Sequence, residues 1–458
     1  MKSGLADNGD FYSRLFPSAP DLDRLALKHQ TGITYGMLEA EIERWRRRLA
    51  DQGVRRNSLV AMSLPNSFTF VYVLYALWKQ GAQAMLIDPR LKRAEADDII
   101  QSQRPNFFIH PTEAPSPLGG FKEEIAVGVD QLHEEESPRV YALRLFSSGS
   151  TGKPKTIGRK AEALLLDMRK LSGGRYLEEK DRVLALSPLC HTYGLLNGLM
   201  QTLCRGAALH FASVNLSKSL LKTIREDRIT VIYGVPFHYQ LLLESPDDQP
   251  LPDVRAAISA GEPLSIELYE QFAAKYGVRI GQQYGTSETG VLAMDWKGEH
   301  PGSVGCVLEG VELSMAGEEE IAVRLAECPY LDEQGAERYR EGAFHTSDRG
   351  ERRDGLLYVH GRMDSVMAIG GLKVDLLEIE AKLRQFPGIA DVTVYADRQA
   401  GSVGAYVQAK DGCKEEELLS WCRTNMAAHK IPQALYWVDE LPRTSTGKVI
   451  RRRLEGAR

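Results

Sequence analysis

Several features that would decide this chain's class at once are missing from it. Its six cysteines (Cys190, Cys204, Cys306, Cys328, Cys413 and Cys422) include no C-x-x-C pair, so they read as free thiols in a reducing compartment and not as a zinc site or disulfide frame. Its 57 basic and 62 acidic residues leave a net charge of −5, without the one-signed excess of a dedicated nucleic-acid or membrane-surface binder. The longest apolar run, Phe70 to Trp78, is about half the roughly 20 residues that a membrane-spanning helix needs, and a buried helix is expected there. The N-terminal MKSGLADNGDFYSRLF lacks an uninterrupted apolar core, so no signal peptide is expected and a cytoplasmic location is. Repeats, low-complexity tracts and long linkers are also missing. The 458 residues leave room for two to four domains of roughly 150 residues each.

What is present is an alternation of strand and helix signals. Thr34 to Gln52 carries Leu38, Ile42, Trp45 and Leu49 at helical spacing, with Gly53 where a C-terminal cap belongs. Arg46, Arg47 and Arg48 lie beside that stripe as a solvated face. Short apolar runs read as strands over 59–64, 84–87, 106–109, 183–186, 230–233 and 254–259, several separated by helix-length segments. This pattern predicts an α/β fold: a large N-terminal domain with mostly parallel sheets flanked by helices. The pattern changes near residue 362. A helix is expected over 374–386, with Asp375 and Glu378 in a capping arrangement, then strands over 392–396 and 404–409, a helix over 414–426 and a strand over 434–438. The expected division is therefore 1–361 and 362–458, the second a small α+β domain.

The densest chemistry lies in Phe146-Ser147-Ser148-Gly149-Ser150-Thr151-Gly152-Lys153-Pro154-Lys155. Glycines let backbone N–H groups converge on phosphate oxygens; hydroxyls add donors and lysines add charge. A Walker A loop is excluded, because the position five residues after Gly149 is Pro154. Further segments follow: Pro188 to Gly194 (PLCHTYG), Tyr284 to Gly290 (YGTSETG), Thr346 to Gly350 (TSDRG), Gly361 to Ser365 (GRMDS) and Pro442 to Lys448 (PRTSTGK). Taken singly, each has a plain structural explanation. Together they suit an ATP site: a hydroxyl loop for phosphates, Glu288 as a hard ligand for Mg²⁺, Asp348 as acceptor for two ribose hydroxyls, and Lys448 as a bridge between a carboxylate and the α-phosphate.

In order and spacing, these six segments resemble the adenylate-forming superfamily of acyl- and aryl-CoA synthetases, peptide-synthetase adenylation domains and luciferases. The resemblance runs from about Thr31 to Leu454. It implies that a carboxylate attacks the α-phosphate of ATP to give an acyl-adenylate and pyrophosphate, after which a thiol displaces AMP. By the family's pattern, Ser147, Ser148, Gly149, Ser150, Thr151, Gly152, Lys153 and Lys155 hold phosphates, and Glu288 with Thr151 holds Mg²⁺. Thr286 or Ser287 contacts the α-phosphate, Tyr284 with Gly285 lies near adenine, and Gly261, Glu262 and Pro263 line the adenine side. Asp348 and Arg362 bind ribose, and Lys448, Glu288 and Thr286 are the catalytic set. The small domain is mobile, swinging about Asp364 to exchange Lys448 for a thiol tunnel at Gly370 and Gly371.

The chain departs from the pattern in two places. Ser347 stands where the family often has glycine, and Met367-Ala368 where it often has Ile-Lys, which mildly weakens the case for a common CoA ligase. The His191 segment carries no acid to pair with an α-ammonium, which argues against amino-acid substrates. His191, Tyr193, Gly234, Val235, Phe237, Ser259 and Ala260 form the expected acid pocket, suited to an aromatic or short-to-medium aliphatic acid. The expected acceptor is CoA or the phosphopantetheine of an acyl or aryl carrier protein. The alternatives are an amine or oxygen acceptor, or a non-catalytic nucleotide-binding relative; retention of Lys448, Glu288 and Asp348 speaks against the latter.

Overall fold

The computed structural model describes residues 8–17, 21–91, 93–113, 121–134, 141–147, 155–174, 176–212, 217–317, 319–333, 335–363, 366–369, 372–397, 402–410, 412–426, 430–443 and 449. The chain divides into two compact units. One comprises 1–314, 322–346 and 352–358; the other comprises 315–321, 347–351 and 359–458.

The large unit is built on two sheets. In the first, strands Phe107–Pro111, Leu59–Met62, Gln83–Leu86 and Leu143–Ser147 run parallel in that spatial order. Antiparallel edge strands Val127–Gln131 and Lys155–Arg159 flank them. In the second, strands Leu25–Lys28, Ala208–His210, Arg182–Ala185, Val231–Gly234, Ala256–Ala260 and Ile280–Thr286 lie side by side and parallel. Buried parallel strands face apolar neighbours on both sides and so read as continuous apolar runs, which is why 230–233 and 254–259 were legible.

Helix Tyr35–Asp51 begins where Thr34 Oγ1 accepts from the Met37 amide and buries Leu38, Ile42, Trp45 and Leu49. The apolar run is the helix Phe68–Gln80, buried at every position from Phe68 to Trp78 and capped by Ser67 and Gly81. No helix among the described residues is long and apolar enough to cross a membrane. All six cysteines are free.

In the small unit, Ile389–Asp397 pairs antiparallel with Ser402–Ala409, which pairs parallel with Ala434–Val438. Helices Leu376–Leu383 and Glu415–Asn425 contribute Ile379, Leu383, Leu418 and Cys422 to a core with Val392, Val394, Val403 and Val407. The first of these helices starts later than its periodicity suggested, because Leu372–Asp375 is a strand paired with Val366–Ile369. Asp375, the last residue of that strand, directly precedes Leu376 and so stands at the N-cap position, where extended backbone is ordinary.

Candidate active site

The site residues of the large unit sit at the C-terminal ends of the parallel strands. Register places Ala185 beside Tyr233, Gly234 beside Ser259, and Ala260 beside Gln283. The segments that follow those strands therefore emerge together: Pro188 to Gly194, Val235 to Phe237, Gly261 to Pro263, and Tyr284 to Gly290. Ligands commonly bind at this edge of an open α/β sheet, because the connections there leave a crevice.

Tyr284 to Gly290 forms a tight hairpin between Ile280–Thr286 and the antiparallel strand Gly290–Met294, with Thr286 opposite Gly290. The Thr286 and Thr289 hydroxyls each accept the other residue's amide at 3.2 Å, which closes the tip without side-chain bulk. A Cβ on Gly285 would lie 2.3 Å from the Gly290 carbonyl oxygen. Gly290 has φ +70°, and a Cβ there would meet the Asp167 carboxylate at 2.2 Å. Behind the hairpin, buried Asp167 accepts from Arg159 Nη2 at 2.6 Å and pairs with Lys170 at 3.4 Å. Arg159 Nη1 also donates to the Ser287 carbonyl at 3.2 Å. The Thr192 hydroxyl donates to Ser287 Oγ at 3.0 Å, tying the hairpin to the His191 segment.

Glu288, at the hairpin tip, is buried and accepts from the Tyr330 hydroxyl at 2.6 Å. Tyr330 is held by backbone pairing: Leu331 donates to the Thr156 carbonyl, and Gly158 to the Pro329 carbonyl, both at 2.9 Å. Arg338 Nη1 donates to the Tyr330 oxygen at 3.3 Å, and Lys155 Nζ lies 5.3 Å from the centre of its ring. Burial, reinforced by Glu288, raises the Tyr330 phenol well above its ordinary range, so it remains a donor. Among the described residues no ammonium or guanidinium lies within ion-pair distance of Glu288. A hairpin formed by Leu143–Ser147 and Lys155–Arg159, with Ser147 opposite Lys155, leads into and out of the hydroxyl loop. Tyr330 thus links the base of that loop to Glu288. Reading the sequence alone missed Tyr330, Arg338, Arg159 and Asp167; no motif marks them.

On the acid-pocket side, Tyr193 and Tyr239 both donate to the Ile258 carbonyl at 2.7 Å. The segment continues as a π-helix, Gly194–Met200, whose wide turn buries Asn197 in a reciprocal amide pair with Gln283. π-Turns of this kind often mark functional sites, and no sequence period signalled this one. Val235 precedes the helix Pro236–Leu243, and its amide donates to His238 Nδ1 at 3.1 Å. Burial pushes that histidine down to about 4. Ser259 is buried on its strand, and Phe237 is exposed. His191 Nε2 lies 3.2 Å from Asp88 Oδ2. Burial opposes the imidazolium, but Cys190 and Asp88 outweigh it and push His191 up to about 10.

In the small unit, Asp348 is buried and Arg362 Nη1 lies 3.5 Å from its Oδ1. Ser347 adopts φ +58°, a left-handed conformation that glycine takes at no steric cost, and its amide donates to Glu320 Oε1 at 2.9 Å. Arg443 and Val449 form an isolated antiparallel bridge. Lys448, Asp364, Gly370 and Gly371 lie outside the described residues, as do Ser148, Gly149, Ser150, Thr151, Gly152 and Lys153; of Ser147 the backbone alone is described.

The model of the AMP-binding enzyme family matches residues 17–324, and that of the AMP-binding enzyme C-terminal domain matches 378–448. The chain belongs to the AMP-binding enzyme family. It is an acid–thiol ligase, which activates a carboxylic acid with ATP and passes the acyl group to a thiol. This AMP-binding enzyme is 27% identical to a feruloyl-CoA synthase of Amycolatopsis sp, over 93% of this chain and 94% of that one. It is 29% identical to a 2-succinylbenzoate–CoA ligase of Geobacillus kaustophilus, over 90% of each. Its fold is shared by the anthranilate CoA ligase AuaEII in complex with anthranoyl-AMP (TM-score 0.81, 24% identity, 99% and 97% coverage). The same holds for the O-succinylbenzoate coenzyme A synthetase MenE of Bacillus subtilis with AMP (TM-score 0.82, 23% identity, 98% of each chain).

Proposed function

We propose that this AMP-binding enzyme makes a CoA thioester of an aromatic or short-to-medium aliphatic acid. The observation that carries the reading is that relatives aligned over nine-tenths of the chain are named as ligases of aryl acids such as ferulate and succinylbenzoate. The wall formed by Val235, Tyr193, Ala260 and the small Gly234 suits a flat apolar acid body. The His191 segment offers no carboxylate for an α-ammonium, although Asp88 reaches it from the other sheet and is itself engaged by His191 and Arg90. A phosphopantetheine arm on a carrier protein presents the same thiol and is the second acceptor to test.

Adenylation brings two anions together, so positioned cations and donors lower its barrier. In this reading the loop from Ser147 to Lys155 holds the β- and γ-phosphates. Thr286 and Ser287 face the α-phosphate, while Tyr284, Gly285 and Gly261 to Pro263 enclose the adenine. Asp348 and Arg362 hold the ribose, and Lys448 bridges the carboxylate and the α-phosphate. Glu288 fits Mg²⁺: it is a buried carboxylate with one oxygen on a neutral hydroxyl and no cation beside it among the described residues. When bound, the ion would offset phosphate charge; Tyr330 orients the carboxylate that holds it. The proposed boundary at residue 362, the hinge at Asp364 and the thiol tunnel at Gly370 and Gly371 belong to the same reading.

A panel of acids read by pyrophosphate release, followed by mass spectrometry of products from CoA and from a holo-carrier, tests this. Benzoate- and cinnamate-type acids with CoA are expected to give thioesters; activity confined to α-amino acids would overturn it. Lys448→Ala should lower acid-dependent pyrophosphate exchange on the order of 10²–10³-fold.

A further inference from the structure

Among the described residues one group of three potential metal donors comes together outside the nucleotide residues. Asp88, Cys190 and His191 each place a donor atom within 4.8 Å of the other two. They come from two different sheets. Asp88 follows the strand Gln83–Leu86, whereas Cys190 and His191 lie in the turn after Arg182–Ala185. That turn is stiff: the His191 amide donates to the Pro188 carbonyl at 3.1 Å, and the Leu189 amide to Asn66 Oδ1 at 2.9 Å.

We propose that these three side chains form a binding site for a divalent transition metal of the zinc type, separate from the Mg²⁺ expected at Glu288. A thiolate, an imidazole and a carboxylate are the ligand types that Zn²⁺ takes, and the sulfur and imidazole select against Mg²⁺. Bonds of about 2.0–2.3 Å in a tetrahedral site place ligand atoms roughly 3.3–3.8 Å apart. Asp88 Oδ2 and His191 Nε2 already lie 3.2 Å apart, and no pair exceeds 4.8 Å, so binding needs a closure of about an ångström at most. Arg90 occupies Asp88 Oδ1 through its amide and Nε, both at 3.0 Å, and its Nη2 lies 3.4 Å from Oδ2. This fixes the carboxylate with Oδ2 toward the histidine. Cys190 is buried, but the side chains of His191 and Asp88 are 31% and 16% exposed, which leaves a way in for an ion. Binding expels the thiol proton and any proton on Nε2 to solvent. Three ligands leave a fourth position for water or a donor from a small molecule.

The test is a titration of the full-length, metal-free protein with Co²⁺ and then Zn²⁺, without nucleotide or acid. One equivalent of Co²⁺ should give a thiolate-to-metal charge-transfer band that Zn²⁺ abolishes. X-ray absorption of the Zn²⁺ protein should show one sulfur at about 2.3 Å and nitrogen or oxygen neighbours at about 2.0–2.2 Å. Cys190→Ser should lose the band, and Asp88→Asn should weaken Zn²⁺ binding at least 10–100-fold, the loss seen when even an orienting partner is removed. A band that persists in Cys190→Ser, unchanged affinity in Asp88→Asn, or a Zn²⁺ shell without sulfur in the unmutated protein would each overturn the site. None of these readouts needs catalysis, so they stand whether or not His191 lines the acid pocket.

Discussion

Asp167 is the residue whose removal should reveal most about how the Glu288 hairpin is held. Its carboxylate is 1% exposed, and its partners Arg159 and Lys170 have side chains 5% and 8% exposed. Asp167→Ala leaves two buried cations facing a void. Breaking a buried pair by removing one partner costs about 3–5 kcal/mol, most of it the penalty of the charge left behind. Asp167→Asn keeps the shape and one acceptor oxygen but loses the charge, so about 1.5–3 kcal/mol is expected, the worth of a hydrogen bond to an ionised group. Replacing Asp167 together with Arg159, as in Asp167→Leu with Arg159→Met, should cost less than the sum of the single changes by about 1–3 kcal/mol, since Lys170 is then the one cation left without its partner. Arg159 also holds the Ser287 carbonyl, so the alanine variant should raise the KM for ATP in pyrophosphate exchange. Equilibrium urea unfolding followed by circular dichroism measures the first effect. A cost below about 1 kcal/mol for Asp167→Ala would refute the reasoning, because it would mean that both cations reach water without it.

Three further outcomes are expected. Tyr330→Phe removes the donor to Glu288 and should cost about 1.5–3 kcal/mol of a charge-assisted bond, read as a higher Mg²⁺ requirement in pyrophosphate exchange at otherwise normal folding. Ser347→Gly should be more stable than Ser347→Ala by about 1 kcal/mol in thermal unfolding, because only glycine takes φ +58° without steric cost; equal stabilities would contradict the strain. His238 is neutral in the fold, with Nδ1 accepting from Val235, and its folded value near 4 lies below the unfolded value of about 6.5. The unfolded chain therefore binds its proton first. The stabilisation is complete above about pH 6.5 and is lost as pH falls toward 4, a change on the order of 3 kcal/mol that His238→Asn should flatten.

Local pattern carried the elements whose burial has a simple period. Leu38, Ile42, Trp45 and Leu49 mark a helix wherever they occur, because one face must leave water. The helix expected from 374 shows the limit, since residues 374 and 375 belong to a strand whose pairing with Val366–Ile369 no helical period encodes. The π-helix at Gly194–Met200 is a similar case: it places Gly198 against Ala185 and Asn197 against Gln283, contacts with distant strands that no local period signals.

The order and chemistry of the motif segments were properties of the amino-acid sequence itself, since phosphate-binding backbone and hairpin tips are built from consecutive residues. The family and the reaction class followed from them. The arrangement around those segments belonged to the tertiary structure: Tyr330 on Glu288, Asp167 beneath Gly290, and Asp88 against His191. Each joins residues far apart in the chain: an antiparallel bridge beside Tyr330, a helix carrying Asp167 and the meeting of two sheets at Asp88 bring them together. Side-chain identity sets what a group can do, but the company it keeps depends on which strands pair.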